Sequence, residues 1–437
     1  MKEHAQMTMR GGTEMKRVCL CLSVLLLILI AALLLLPERA DAIPAFSRKH
    51  GFNCNMCHTA YPKLNDLGQR VRADGYQIPG QEGKEKNVFD TPPPISFRTF
   101  AGAAGYDRDD LTTWGFELGG LDLLGAGVMH KNVSFLFIYT PRIDEPSADF
   151  TGSAGGTNPS QLGALESANI VFSNVVKDML NVRIGRFEPS YHPFSSKRTY
   201  YLGTSYDIYT FETPGRPFVF DDNQVGVELT GHARCGGSYG LGAVNGTGAS
   251  PDNNKWKDVY LTAAKTFGHG EGQSAGQRVG VFGYYGHAPV VVADSLIAPG
   301  GEANGTQNTP FYRYGADLSL NWKTLNLQVL YMRGVDDKDL SPLGPAENYE
   351  YDGGFAQLDC ACLANNRLVT SLLYNWVAPP SYDDDREVKA YSGLVRYYLG
   401  DWSAVNVALH GEYTYRQTGS SNPLKENLAS LMVDFAF

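Results

Sequence analysis

The sequence lacks what a helical membrane protein needs. Past residue 42 of 437, no apolar run approaches the roughly 20 residues that a spanning helix requires, and mean hydropathy is −0.24. It also lacks positive charge: Lys+Arg 37 against Asp+Glu 46 leaves a formal charge of −9, which argues for no nucleic-acid partner. Methionine (9) and cysteine (7) are sparse, and there is one C-x-x-C and no second. Glycine (48) and tyrosine (25) are abundant. An acidic chain rich in Gly and Tyr points to an all-β protein, secreted or in an outer membrane.

The one long apolar run is N-terminal. Met15-Lys16-Arg17 precedes Val18–Leu36, Pro37 breaks the run, and Ala40-Asp41-Ala42 fits small-x-small cleavage. Residues 1–42 therefore read as a signal peptide. An uncleaved anchor is the rival, because 19 apolar residues can span a bilayer.

Cys19 and Cys21 fall within that signal. Cys54-Asn55-Met56-Cys57-His58 is C-x-x-C-H, the attachment pattern of c-type haem. Two thiols three residues apart form thioethers with both vinyl groups of one haem, and the adjacent His58 reaches the iron as proximal ligand. A redox dithiol or half a zinc site compete, but zinc lacks partners. The expected cofactor is one covalent heme c. Cys235, Cys360 and Cys362 remain as structural or free thiols.

The cytochrome segment, residues 43–78, is small. Tyr61, Leu64, Leu67, Gly68 and Val71 recur at helical spacing, with Gly75 as a helix stop. One short helix cannot bury a haem alone, so the haem is expected to pack against the rest of the chain. His50 is the nearest candidate distal ligand. Inward side chains of the second domain, among them Met332 and Met432, or an open position are the alternatives.

Residues 79–95 read as a stiff linker ending in Thr91-Pro92-Pro93-Pro94. From Ser96 to Phe437 the chain alternates apolar and polar residues between turn-forming clusters. Leu431, Val433, Phe435 and Phe437 share one face, against Ser430, Met432, Asp434 and Ala436 on the other. Leu325–Arg333 and Ala404–Tyr415 repeat the pattern. A soluble sandwich also alternates, and the pattern does not say which face is inside. Connection lengths favour a transmembrane antiparallel β-barrel of about 16 strands. Long links near 141–163, 188–221, 288–310 and 335–352 alternate with short ones near 126–130, 174–179, 233–236, 322–323 and 400–401, with 268–277 as an irregularity. An even strand number puts both termini in the periplasm of a Gram-negative-type bacterium. The tyrosines would supply two interfacial girdles. The 188–221 link, with Tyr191, His192, Tyr200, Tyr201, Tyr206, Tyr209, Asp221 and Asp222, and the run Asp383-Asp384-Asp385 would lie outside, where carboxylates attract hard cations. Glu228, His232, His410 and Glu412 read as lumen polar residues.

Pro44, Phe46, Arg48, Gly51, Cys54, Cys57, His58, Pro62, Leu64, Gly68, Gly75 and Tyr76 together resemble the fused outer-membrane monohaem cytochrome c–porins linked to iron(II) oxidation. The close match covers about 35 residues. The resemblance implies a haem segment plugging a porin-like barrel. Asn65-Asp66-Leu67-Gly68-Gln69-Arg70 departs from the Thr-Pro-Phe-Gly-Arg-like run of iron-oxidising members, which bears on iron(II) as the substrate.

A haem free in the periplasm cannot meet an outside donor through roughly 30 Å of hydrocarbon, whereas one docked in the lumen can. The expected function is electron transfer across the outer membrane, from an extracellular metal ion such as iron(II) to a periplasmic electron-transfer cytochrome. A solute porin with a redox-sensing haem plug and a haem enzyme with an open sixth position are the rivals.

Overall fold

A computed structural model describes residues 54–436 apart from 82, 85–94, 109–110, 142–162, 215–217, 234, 269–275, 290–307, 339–346, 364–365 and 400–405. The signal segment, His50 and most of the linker lie outside the described residues.

After a 3₁₀ turn at Cys54–Met56, strands β1 (His58–Ala60) and β2 (Lys63–Leu64) form a small hairpin, followed by helix α1 (Asp66–Ala73). Next come β3 (Ile95–Arg108), β4 (Leu111–His130), β5 (Val133–Pro141), β6 (Gly163–Phe172), β7 (Val175–Asp178) and β8 (Asn181–Phe187). A short helix, α2 (Asp207–Thr210), precedes β9 (Gln224–His232), β10 (Gly237–Val244), β11 (Asp258–Phe267), β12 (Gln277–Pro289) and β13 (Asn308–Trp322). The chain continues through β14 (Leu325–Asp336), β15 (Tyr349–Cys362), β16 (Leu368–Ala378), β17 (Val388–Tyr398), β18 (Asn406–Thr418) and β19 (Leu424–Ala436). Strands β3–β6 and β8–β19 make a closed barrel of sixteen, antiparallel throughout and sealed where β19 pairs with β3. Closure leaves no sheet edge, the condition for carrying strands through lipid.

The alternating pattern resolves with its apolar face outward. In β19, Met432, Asp434 and Ala436 are buried toward the lumen while Val433 is 37% exposed. In β14, Leu330 and Met332 point in and Tyr331 out. Leu261, Val281, Leu372 and Val395 add to the outer apolar surface. A soluble sandwich would invert this arrangement. Outward tyrosines such as Tyr312, Tyr314, Tyr391 and Tyr413 lie toward the rim with long connections, and Trp322 and Phe267 lie at the other. Many tyrosines instead fill the lumen, among them Tyr191, Tyr200, Tyr209, Tyr260 and Tyr351, so girdles account for only part of the tyrosine excess.

Short connections (131–132, 233–236, 323–324) share a rim with the barrel's first and last residues, Ile95 and Ala436. That rim is periplasmic, and the long connections leave the barrel at the opposite rim. One expected turn is misplaced. Residues 126–130 continue β4, paired with β5, and the chain reverses at Lys131-Asn132. Lys131 takes up the positive φ of 46° that a tight hairpin demands.

Gly185 sits at the centre of β8 with φ +127°, and an added Cβ would come 2.3 Å from the Ala168 carbonyl oxygen on β6. Gly185→Ala should cost about 1–3 kcal/mol. It should lower the temperature at which the folded barrel loses its compact gel mobility; an unchanged temperature would show that the wall absorbs the methyl group.

Candidate functional site in the barrel lumen

The C-x-x-C-H segment is built around Asn65. Its backbone N–H donates to the Cys57 carbonyl at 2.9 Å, and its side-chain amide donates to the Met56 carbonyl at 2.9 Å. Its side-chain oxygen caps α1 by accepting from the Gly68 N–H at 2.9 Å. The cap thereby ties the cysteine turn to the helix. Gly68 is required by this closeness, because a Cβ there would lie 2.1 Å from the Cys57 carbonyl oxygen. Gly75, at φ +66°, ends the helix region and presses on the wall, where a Cβ would meet Ser173 Oγ at 2.3 Å and Ser134 Oγ at 2.5 Å. The helix is shorter than its apolar spacing implies. Tyr61 and Leu64 lie in the hairpin, because Pro62 offers no N–H and the chain pairs β1 with β2 instead.

This hairpin and helix plug the periplasmic half of the lumen. Lys63 Nζ pairs with Asp359 and donates to Asn326 Oδ1 at 2.7 Å. Tyr398 Oη donates to the Tyr61 carbonyl, and Asn366 Nδ2 to the Thr59 carbonyl at 2.7 Å. On the far side Ser173 Oγ donates to the Asp74 carbonyl at 2.9 Å, and Arg72 reaches Glu188 at 2.7 Å. The plug's exposed carbonyls are thus met by wall donors, as buried backbone requires.

His58 is half-buried within the plug. Its Nδ1 lies 3.1 Å from the Pro62 carbonyl. A carbonyl only accepts, so Nδ1 carries the proton and Nε2 the lone pair in the neutral ring. Burial lowers the imidazole pKa to about 4, keeping it neutral at pH 7. Cys54 and Cys57 are free thiols one 3₁₀ turn apart, their backbones joined by Cys57 N–H to the Cys54 carbonyl at 3.2 Å. Cys54 packs on the lumen's apolar cluster. Two free thiols beside an imidazole whose tautomer is set by a carbonyl form a donor set that fits a covalent haem.

The 188–223 connection departs from the expected external loop. It folds back into the lumen, where Tyr191, Tyr200, Ile208 and Tyr209 are fully buried. Tyr206 stacks on Phe355 with ring centroids 3.8 Å apart. Glu412 Oε2 accepts from the Leu202 N–H at 2.9 Å, and Thr204 Oγ1 donates to Glu412 Oε1 at 2.6 Å. Arg416 pairs with Asp207 at 2.6 Å. Aromatic rings hide their faces by leaving water, and the wide lumen offers the nearest polar partners for the loop backbone. Between plug and loop remains a cavity of about 30 Å³, lined in part by Lys63, Gln69, Phe194, Arg198 and Gln357, room for about one water.

A closed wall of sixteen antiparallel strands has counterparts among solved proteins. An anion-selective porin from Comamonas acidovorans superposes with TM-score 0.52 at 12% identity, over 78% of this chain and 98% of that one. OmpT of Vibrio cholerae in its trimer form gives 0.51 at 11%, over 78% and 99%. OprB of Pseudomonas putida gives 0.50 at 15%, over 80% and 95%. The fold is that of an outer-membrane porin. With its outward apolar band, the porin-like barrel belongs in the outer membrane of a Gram-negative bacterium. Neither a protein-family model nor a curated protein matches the sequence.

Other expected residues fall into place on this porin frame. Glu228, His410, Glu412, Met332 and Met432 are buried toward the lumen. His232 Nε2 lies 3.7 Å from Asp74 Oδ1 of the plug. Cys360 and Cys362 form a disulfide, and Cys235 is an exposed free thiol. The acidic positions do not assemble as a cation site. Asp221 accepts from Ser196 Oγ, Asp383 from Tyr349 Oη at 2.6 Å, and Asp384 from Ser420 Oγ at 2.7 Å. Among the described residues no group of three His, Cys, Asp or Glu is placed to hold a metal ion. Sequence reasoning missed Lys63, Asn65, Arg72 and Glu188. Only Asn65, a capping residue type just before the helix, carries a local signal.

Lys63→Met should loosen the plug by about 3 kcal/mol, because Asp359 is left buried without its cation. Limited proteolysis from the periplasmic side should then cut the N-terminal segment faster than in the parent. An unchanged cutting rate would mean that other contacts hold the plug.

Proposed function

We propose that this porin-like barrel transfers electrons across the outer membrane through one covalent heme c. Cys54 and Cys57 would carry the thioethers and His58 Nε2 the proximal bond. What supports this reading is the place of the C-x-x-C-H segment, within the lumen and with His58 Nδ1 already engaged by the Pro62 carbonyl. The group supplies reversible one-electron redox chemistry when bound. The protein's own residues do the rest. The closed wall excludes lipid, the plug fixes the ligand nitrogen, and the folded-in loop limits water above it. One electron would leave an outside donor such as iron(II), producing iron(III), and pass inward to a periplasmic cytochrome. His50 is the distal ligand candidate.

The porin fold supports a second reading, a solute porin in which the plug senses redox state. Solved neighbours include an anion-selective porin, and the plug is held to the wall through separable polar contacts such as Lys63 to Asn326. An open sixth position would instead fit a haem enzyme.

Protein in liposomes enclosing an oxidised periplasmic-type cytochrome, with iron(II) added outside, separates the first two readings. Reduction of the trapped reporter by the parent, lost in Cys54→Ala/Cys57→Ala while the barrel still folds, is expected for the conduit. Free ion leakage with no reporter reduction would install the porin reading. His50→Ala should convert a low-spin haem spectrum to high-spin; an already high-spin parent would speak for the enzyme.

A further inference from the structure

The periplasmic end of β15 carries a disulfide between Cys360 and Cys362, two residues apart on one strand. A disulfide stabilises a fold chiefly by closing a long loop of the unfolded chain. This one closes three residues and joins no two elements. Its effect is on local shape. Two residues of extended strand span about 6.4–6.8 Å, whereas these Cα atoms are held 5.8 Å apart.

The chain on either side of the bridge leads to the plug. Asp359, one residue before it, pairs with Lys63. Asn366, in the turn after it, donates to the Thr59 carbonyl at 2.7 Å. The Arg367 carbonyl accepts from the Tyr398 N–H at 2.9 Å, and Tyr398 Oη in turn donates to the Tyr61 carbonyl. Ala361, between the two cysteines, is buried in the same apolar cluster as Ala60 of the plug. Three polar contacts of the β1–β2 hairpin with the wall thus run through the chain around Cys360–Cys362. Ser173 and Glu188 hold the helix end separately.

The sulfurs themselves face away from the plug. Asp359 and Ala361 are buried toward the lumen, so alternation turns Cys360 and Cys362 outward. Cys360 pairs with Leu325, itself the partner of the exposed Trp322 at the periplasmic end of the wall. Cys362 lies past the first residue of β14, at the rim. Both cysteines are half-exposed.

We propose that Cys360–Cys362 is a thiol–disulfide exchange site for dithiol proteins of the periplasm, and that its oxidised form holds the end of β15 in the shape that seats the plug hairpin. A thiolate of the dithiol attacks Cys362 Sγ, forms a mixed disulfide and releases Cys360 as a thiolate, which takes up a proton. The donor's second thiolate then displaces Cys362, which is protonated in turn. Two electrons and two protons reach the pair, and the donor leaves as a disulfide. The strand end is then free to extend, and Asp359 and Asn366 no longer stand at the spacing that Lys63 and Thr59 require. This device works on the plug with or without a bound haem.

The test uses full-length protein in detergent, equilibrated with dithiothreitol and its oxidised form at graded ratios. Alkylation of the folded barrel followed by peptide mass reads the state of Cys360 and Cys362, and limited proteolysis reads the seating of the N-terminal segment. The reduced fraction should follow the ratio while the barrel keeps its compact gel mobility. Cutting should speed up by about tenfold as the pair opens and slow again on reoxidation. Cys360→Ser/Cys362→Ser should be cut at the fast rate at every ratio. A pair that stays oxidised in the folded barrel under excess dithiothreitol would overturn the proposal, as would a cutting rate indifferent to its state. A response that persists in the double variant would also overturn it and assign the effect to Cys54 and Cys57.

Discussion

Every N–H and C=O that a strand takes into hydrocarbon must be paired within the protein, and a sheet closed on itself satisfies all of them at once. In this chain that constraint fixes sixteen antiparallel strands joined from β19 back to β3. It also creates the problem that the remainder of the structure solves. A sheet of this circumference encloses more space than its own side chains fill. The lumen must be wet, or it must be filled by other segments whose backbone groups find partners there.

Two segments do the filling, and each is met by a polar wall. The plug offers carbonyls at Thr59, Tyr61 and Asp74 to Asn366, Tyr398 and Ser173. The inner loop offers N–H groups at Leu202 and Gly203 to the Glu412 carboxylate. Buried ion pairs such as Lys63–Asp359 and Arg416–Asp207 add little net stability, because desolvation offsets their attraction. Their use here is registry. Each pair has one geometry in which no charge is stranded, so the plug and loop have one seat each.

The same arrangement constrains function. Plug and loop stack along the lumen, with Arg72 of the plug bonded to Glu188 at the loop's start. The cavity at their junction is about 30 Å³. An electron needs no open pore, only a redox group held part-way through an insulating wall.

Much of this was legible in the residues. The strand number, the alternation of long and short connections and the C-x-x-C-H unit are local features, and each depends on residues near one another in sequence. Gly75 as the stop after the helix also read correctly, since helix ends are local chemistry. What the sequence could not settle is what depends on distant partners. Period-two alternation has no sign, so only closure of the barrel decided that Val433 faces lipid and Asp434 the lumen. The spacing of Tyr61 and Leu64 suits a helix, but pairing of β1 with β2 placed them in a hairpin. The Tyr-rich 188–223 connection has the composition of an outer loop. It turns inward because its partners, Phe355, Glu412 and Arg416, lie more than a hundred residues away and meet it only once the wall has closed.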